Sequence, residues 1–253
     1  MSTSKIALVT GGSRGLGKNM AQHLAQKGLD VIITYHSQQA EAEGVVNELR
    51  ALGRKAAAIQ LDASKVASFG AFFEQVQATL RDTFDTDRFD FLINNAGTGL
   101  YNTFADTTEE QFDQIVDIHF KGPYFLTQQA LPLLNDGGGI VNISSGLTRM
   151  SPPTSSAYAS AKTAMETLTR YQAKELGPRR IRVNIVAPGA IETDFGGGRV
   201  RDTPEINKQV ASLTTLGRVG LPDDVGPVVA FLCTDDARWI DAQRIEVSGG
   251  QAI

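Results

Sequence analysis

The chain has 253 residues, of which 42% are hydrophobic and 21% charged, with a net charge of −4 and a single cysteine. Those values suit a soluble globular protein with a substantial core, and they exclude a basic nucleic-acid or membrane-surface binder, an internal disulfide and a cysteine-based metal cluster. No apolar run approaches the roughly 20 residues of a membrane span, and the N-terminus lacks the apolar stretch of a secretory signal, so a cytoplasmic location is expected.

In chain order, the first expected strand, "KIALVT", runs into "TGGSRGLG", Thr10 to Gly17, and then into a helix with Leu16, Met20 and Leu24 on one face. Strand, glycine turn and helix together form the context of a phosphate-binding turn. Glycines let backbone approach a pyrophosphate, and the helix N-terminus offers free N–H groups and a favourable dipole. "DVIITY" comes next, followed by a helical segment with Val45, Val46, Leu49 and Leu52 on one side. Further strands are expected in "KAAAIQLD", "FDFLINN", "GGIVNISS", "RIRVNIVAPG" and "RIEVSGG". Most lack polar alternation, which suits strands buried on both faces of a parallel sheet. Strand and helix alternate with no dividing linker, so residues 1–253 are expected to form one doubly wound α/β domain. "RDTFDTDRFD" (81–90) reads as a surface loop and "FGGGRV" (195–200) as a flexible element, while Cys233, in "VVAFLC", reads as an inert core thiol.

"SSAYASAK" sets Tyr158 four residues ahead of Lys162, on one helix face. Alone, such a pair is as readily an exposed helix surface as a proton donor with its tuning cation. It does not stand alone. The motif T-G-x-x-x-G-x-G falls at Thr10, Gly11, Gly15 and Gly17, and N-N-A-G at Asn94, Asn95, Ala96 and Gly97. Ser145 closes the fifth strand in "NISS", Tyr158 follows it by 13 residues, and P-G-x-I-x-T falls at Pro188, Gly189, Ile191 and Thr193.

In that order, and over nearly the whole chain, these motifs resemble the short-chain dehydrogenase/reductase family. The resemblance implies a Rossmann-like domain with a mostly parallel seven-stranded sheet flanked by helices. It also implies a nicotinamide cofactor, no metal, and a small-molecule substrate interconverted between carbonyl and secondary alcohol. Assembly as a homotetramer or homodimer, through the long helices and the C-terminal strand, is implied as well. At matching positions, Gly11, Ser13, Arg14, Gly15, Leu16 and Gly17 belong to the cofactor turn, and Tyr35, His36 and Ser37 to the adenosine end. Asp62, followed by Ala63, would hold the adenine amine, and Asn95, Ala96 and Gly97 would line the cofactor. Pro188, Gly189, Ile191 and Thr193 would meet the nicotinamide carboxamide. The bland reading of Asn95 is a residue that satisfies strand-end backbone groups.

NAD sites usually carry an acid about 20 residues beyond the glycine turn, for the ribose 2′-hydroxyl. Here that strand end reads "TYHSQQ", and the first carboxylate is Glu41. Arg14 offers a planar fork to a 2′-phosphate, with His36 and Ser37 as further donors, so NADPH is favoured over NADH. The plain alternative for Arg14 is a solvated loop charge.

Carbonyl reduction needs a hydride, donors that polarise the carbonyl, and a proton for the alkoxide. Tyrosine has a reference pKa near 10. Lys162, one turn away, and an oxidised nicotinamide are both expected to lower that value, so that Tyr158 serves as general acid and base. Ser145 would donate to the same oxygen, and Lys162 would also hold the nicotinamide ribose. The family's fourth catalytic residue is an asparagine in D-x-N-x-x-G that supports a local helix distortion and a water leading away from the lysine. This chain has "DIHFKG", with His119 in that place. It is either a packing substitution or a relay that titrates near neutrality. The alternatives to a general carbonyl reductase are a 3-oxoacyl-thioester reductase and a non-catalytic nucleotide sensor in which His119 marks a decaying site. Leu147, Met150 and Phe195 are candidate apolar walls of the substrate cleft. Arg149, Arg199 and Arg201 either meet an acidic group there or are solvated.

Overall fold

β1 (Ile6–Val9) lies between β2 (Asp30–Tyr35) and β4 (Phe89–Asn94) in a computed structural model that describes residues 4–253. The sheet order is β3-β2-β1-β4-β5-β6-β7, with β3 at Ala56–Gln60, β5 at Leu134–Ile143, β6 at Arg182–Pro188 and β7 at Arg244–Val247. Every neighbouring pair is parallel. The expectation of a mostly parallel sheet is therefore met by a wholly parallel one.

The pleat explains why the strand sequences are apolar throughout. Ala7 and Val9 of β1 enter one core, while Ile6 and Leu8 enter the other. The first core is closed by α1 (Gly15–Gln26), α2 (Gln39–Ala51) and α9 (Pro222–Leu232). The second is closed by α3 (Phe69–Phe84), α5 (Gly122–Ala130) and α6 (Ser156–Leu176). Cys233 lies in the first core, where burial pushes its thiol up to about 12 and leaves it inert.

The loop expected at 81–90 is shorter than its polar composition suggests. Leu80 and Phe84 carry the buried face of α3 one turn further, and Asp85, at φ 58°, closes the helix. β4 already begins at Phe89. The charge of Asp90 is used inside the fold, since its carboxylate accepts from the Ile6 N–H at 2.7 Å and from Asn135 at 3.0 Å.

After β1 the chain builds β2 and β3 on one side and β4 onward on the other. The crossovers diverge between β1 and β4, and a crevice opens there at the C-terminal ends of the strands. Four segments meet at this edge: the glycine turn after β1, the loop after β4, Ser144–Ser145 after β5 and Gly189 onward after β6. A helical stretch on the same side comprises α4 (Glu109–Val116), a π-helical turn at Asp117–Lys121, and α5. The short helices α7 (Arg199–Asp202) and α8 (Pro204–Ser212) stand over the β6 end. Among the described residues no helix is long and apolar enough to cross a membrane, and no group of three or more His, Cys, Asp or Glu side chains is placed to hold a metal.

Candidate active site

The glycine turn is shaped by space as much as by backbone angle. Gly11 and Gly15 take φ of 66° and 54°, a region that disfavours side chains. Gly17 needs room instead, because a Cβ there would lie 2.0 Å from the Gly11 carbonyl oxygen and 2.6 Å from Asn95 Nδ2. Asn95 donates to the Thr10 and Gly11 carbonyls at 2.8 and 3.2 Å, and Thr10 Oγ1 accepts from the N–H groups of Asn95 and Ala96. Asn95 thus staples the β4 loop to the end of β1, as its bland reading had it. The turn opens into the N-terminus of α1, where a pyrophosphate finds free N–H groups. This cradle fits a dinucleotide.

At the adenosine end, Tyr35 ends β2, and His36 and Ser37 lie exposed beyond it. His36 Nε2 comes within 3.6 Å of Asp62 Oδ2. Burial alone would raise the Asp62 carboxyl. The side-chain and backbone bonds from Ser64, with Lys65 and His36 nearby, outweigh burial and hold the carboxyl below its usual range. Ala63 beside it is buried against the other core. Arg14, just before α1, is turned to a partner that sequence reasoning did not anticipate. Its guanidinium lies 2.6 Å from the carboxylate of Asp194, in the loop after β6.

At the other end, Gly189 donates its N–H to the Val247 carbonyl at 2.9 Å, directly after Pro188. Ile191 bridges to Gly220, and Thr193 is buried with its hydroxyl accepting from Phe195 N–H. The three glycines that follow, 196 to 198, all take left-handed angles and form a tight turn leading into α7.

Tyr158 and Lys162 project from α6 and are both buried. Lys162 Nζ donates to the Ile143 carbonyl at the end of β5, at 2.7 Å, and burial lowers its pKa to about 7. Burial drives the Tyr158 phenol up from its ordinary value, while a hydrogen bond with the Ser145 side chain works the other way. The expected lowering by Lys162 does not emerge from the protein's own groups. The ammonium is drawn to a carbonyl and is itself easily neutralised, so desolvation governs both residues. Ser145 lies two residues beyond β5 in extended backbone, and its hydroxyl accepts the Leu147 N–H at 3.2 Å.

His119 sits at the centre of the π-helical turn, with 1% of its surface exposed. Its ring meets Tyr158 edge-on at 4.9 Å between centroids. Nε2 faces the Thr98 backbone, 2.6 Å from its carbonyl oxygen and 3.3 Å from its amide nitrogen, and the buried Nδ1 has no partner among the described residues. Burial, and then the charge of Lys162, drive its pKa well below 6.5, so the ring is neutral at physiological pH. Gly97 makes the fit possible, because a Cβ there would come 2.4 Å from His119 Cε1. The helix distortion that the resemblance attached to an asparagine is present here with a histidine.

Cleft residues beyond the motifs were hidden from sequence reasoning. Tyr101 and Asp194 belong to loops whose proximity to Tyr158 and Arg14 only folding creates. Of the arginines singled out, Arg149 is paired with Glu246 at 2.7 Å and Arg201 with Asp202 at 2.7 Å.

Comparison with known proteins agrees with this arrangement. The family model described as enoyl-(acyl carrier protein) reductase, of the short-chain dehydrogenase/reductase type, matches residues 11–252. The chain belongs to the short-chain dehydrogenase/reductase family. Within that family, it is 39% identical over 246 residues to an uncharacterized oxidoreductase of Methylorubrum extorquens, covering 97% of each chain. It is 36% identical over 257 residues to the hydroxynaphthalene reductase-like protein Arp2 of Metarhizium brunneum, covering 97% of this chain and 94% of that one. Among solved structures, the promiscuous reductase LugOII, which catalyses keto-reduction at C1 during lugdunomycin biosynthesis, superposes with a TM-score of 0.94 at 39% identity, covering 99% of each chain. The angucycline C-6 ketoreductase LanV with bound NADP gives 0.94 at 35% identity, covering 99% of this chain and 96% of that one. This short-chain dehydrogenase/reductase is an oxidoreductase acting on C=O and CH–OH groups.

Proposed function

We propose that this protein is an NADPH-dependent ketone reductase whose substrates are flat, aromatic-ring ketones. The observation that carries the reading is the convergence of the Ser145 hydroxyl, the Tyr158 phenol and the Lys162 ammonium at the same sheet edge as a glycine turn that opens onto the α1 N-terminus. The relatives support the class of substrate, since they include a tetrahydroxynaphthalene reductase and an angucycline C-6 ketoreductase, the latter with NADP bound.

When bound, the cofactor supplies the hydride and, once oxidised, a positive ring near Tyr158. The chain's own groups do the rest. Gly11, Gly15, Gly17 and the α1 N-terminus would hold the pyrophosphate, Asp62 the adenine, and Thr193 the carboxamide. Arg14, on leaving Asp194, would meet the 2′-phosphate, with His36 and Ser37 as further donors. Ser145 donates a hydrogen bond to the substrate oxygen, and Tyr158 delivers the proton to that oxygen as the alcohol forms. Lys162 would bind the ribose hydroxyls, and, held charged there, would bring positive potential to the phenol. Phe195, 5.9 Å from the Tyr158 ring, helps keep water out. His119 holds the Thr98 carbonyl and the π turn behind Tyr158 as a neutral group. The non-catalytic alternative rested on His119 as a sign of decay, and its close fit with Gly97 and Thr98 argues against that.

The test is reduction of 2-tetralone with NADPH, followed by cofactor fluorescence. Tyr158→Phe is expected to lower turnover roughly 100-fold or more while the NADPH dissociation constant stays within about twofold, because only a general acid is removed. Lys162→Ala is expected to damage both quantities. Near-normal turnover by Tyr158→Phe would overturn the assignment.

A further inference from the structure

The cleft in front of Tyr158 has a wall that the motifs do not account for. Tyr101 and Phe195 are each 41% exposed. They converge over Gly99, where a Cβ would come within 3.3 Å of Phe195 Cε1 and 3.4 Å of Tyr101 Cε2. Gly196 is as restricted, since a Cβ there would lie 2.6 Å from Tyr101 Cε2. Missing side chains at Gly99 and Gly196 therefore let the two rings settle onto the backbone as an apolar wall, with Phe195 5.9 Å from the Tyr158 ring.

A cation stands on that wall. Arg149 and Arg201 are neutralised by Glu246 and Asp202, but Arg199 has no carboxylate partner and no hydrogen bond among the described residues. Its guanidinium lies over the Tyr101 ring instead, 5.1 Å from the centroid. A planar guanidinium stacked on a ring keeps its N–H edge free, and that edge matches a carboxylate or phenolate oxygen.

We infer that Arg199, positioned on Tyr101, recognises an acidic oxygen on a flat aromatic ketone, and so selects substrates that carry an anion at the end of the ring system away from the carbonyl. This inference rests on the ketone-reductase reading above. The apolar wall accepts the ring by stacking, and the guanidinium chooses among rings by charge. Because Arg199 is at the rim, the preference is screened by salt.

The experiment compares kcat/KM for 2-tetralone with that for a tetralone bearing a ring carboxylate. Both are measured with the parent, Arg199→Met and Arg199→Lys at saturating NADPH. The parent is expected to favour the carboxylate, and the ratio is expected to fall roughly five- to tenfold in Arg199→Met, the size of one partly exposed charge-assisted hydrogen bond. Arg199→Lys is expected to retain part of the ratio, and 0.5 M salt to erode it in the parent. An unchanged ratio in Arg199→Met, or an equal fall in Arg199→Lys, would overturn the inference while leaving the reductase reading intact. Failure of the parent to reduce either ketone would sink the reductase reading itself.

Discussion

Lys162 has exchanged water for one backbone carbonyl, and its pKa near 7 states the cost of that exchange. In the unfolded chain the same amine titrates near 10.4. Below about pH 7 both states are protonated and the burial penalty is fully present. Between about pH 7 and 10.4 the unfolded state binds more protons, so stability rises with pH as the penalty is relieved. Lys162→Met removes the charge at similar volume. Without cofactor, the variant is expected to melt above the parent at pH 7, by roughly 5 °C or more, with the gap narrowing toward pH 10. A constant gap would show that the amine is not desolvated as described. His119 carries a separate expectation. Its ring is neutral across the working range, so pH–rate profiles of the parent and His119→Asn are expected to coincide above about pH 6. His119→Ala is expected to lose turnover, because the Thr98 carbonyl and the edge of Tyr158 lose their support. A parent profile with an additional ionisation near 6.5 that His119→Asn abolishes would restore the titrating relay.

At the scale of elements, the glycine turn and the loop after β6 are joined across the nucleotide crevice by the Arg14–Asp194 pair. An exposed pair of this kind contributes only about 0–1 kcal/mol. That is little enough for a 2′-phosphate, with its double charge, to displace the carboxylate. If Arg14 meets that phosphate, cofactor choice is expected to depend on both loops. Arg14→Ala is expected to weaken NADPH binding roughly tenfold with little effect on NADH. Asp194→Asn, which frees Arg14, is expected to tighten NADPH about two- to fivefold, and that gain should vanish in the double variant. Fluorescence titration of both cofactors against the four proteins decides it. Equal affinity of the parent for NADPH and NADH would dismiss the role of Arg14.

For the molecule as a whole, β7 is an edge strand with all four residues only half-buried, and Trp239, just ahead of it, is 96% exposed. Proteins seldom leave a strand edge uncovered. On the far side, Tyr171 on α6 is exposed. Both features fit assembly through the long helices and the C-terminal strand. Sedimentation equilibrium is expected to give about four times 27.2 kDa. Trp239 is the sole tryptophan. Its emission is expected to shift to the red when dilution dissociates the assembly, and a stable monomer with unchanged emission would refute the tetramer.

The parallel sheet, its strand sequence and the nucleotide turn were legible in the residues because each is a local pattern. Apolar runs buried on two faces, a helix period and glycines at a strand end are all written in consecutive positions. Tyr158 and Lys162 were legible for the same reason, four residues apart on one helix. Tertiary structure alone decided what depends on segments brought together from afar. Asp194 lies 180 residues from Arg14, His119 meets Gly97 and Thr98 across a chain reversal, and Arg199 reaches Tyr101 only because three left-handed glycines turn the loop back over the cleft. The sign of the Tyr158 shift was also beyond the chain order. A neighbouring lysine can be counted from the sequence, but the water that folding strips from both groups cannot, and here desolvation outweighs the neighbour.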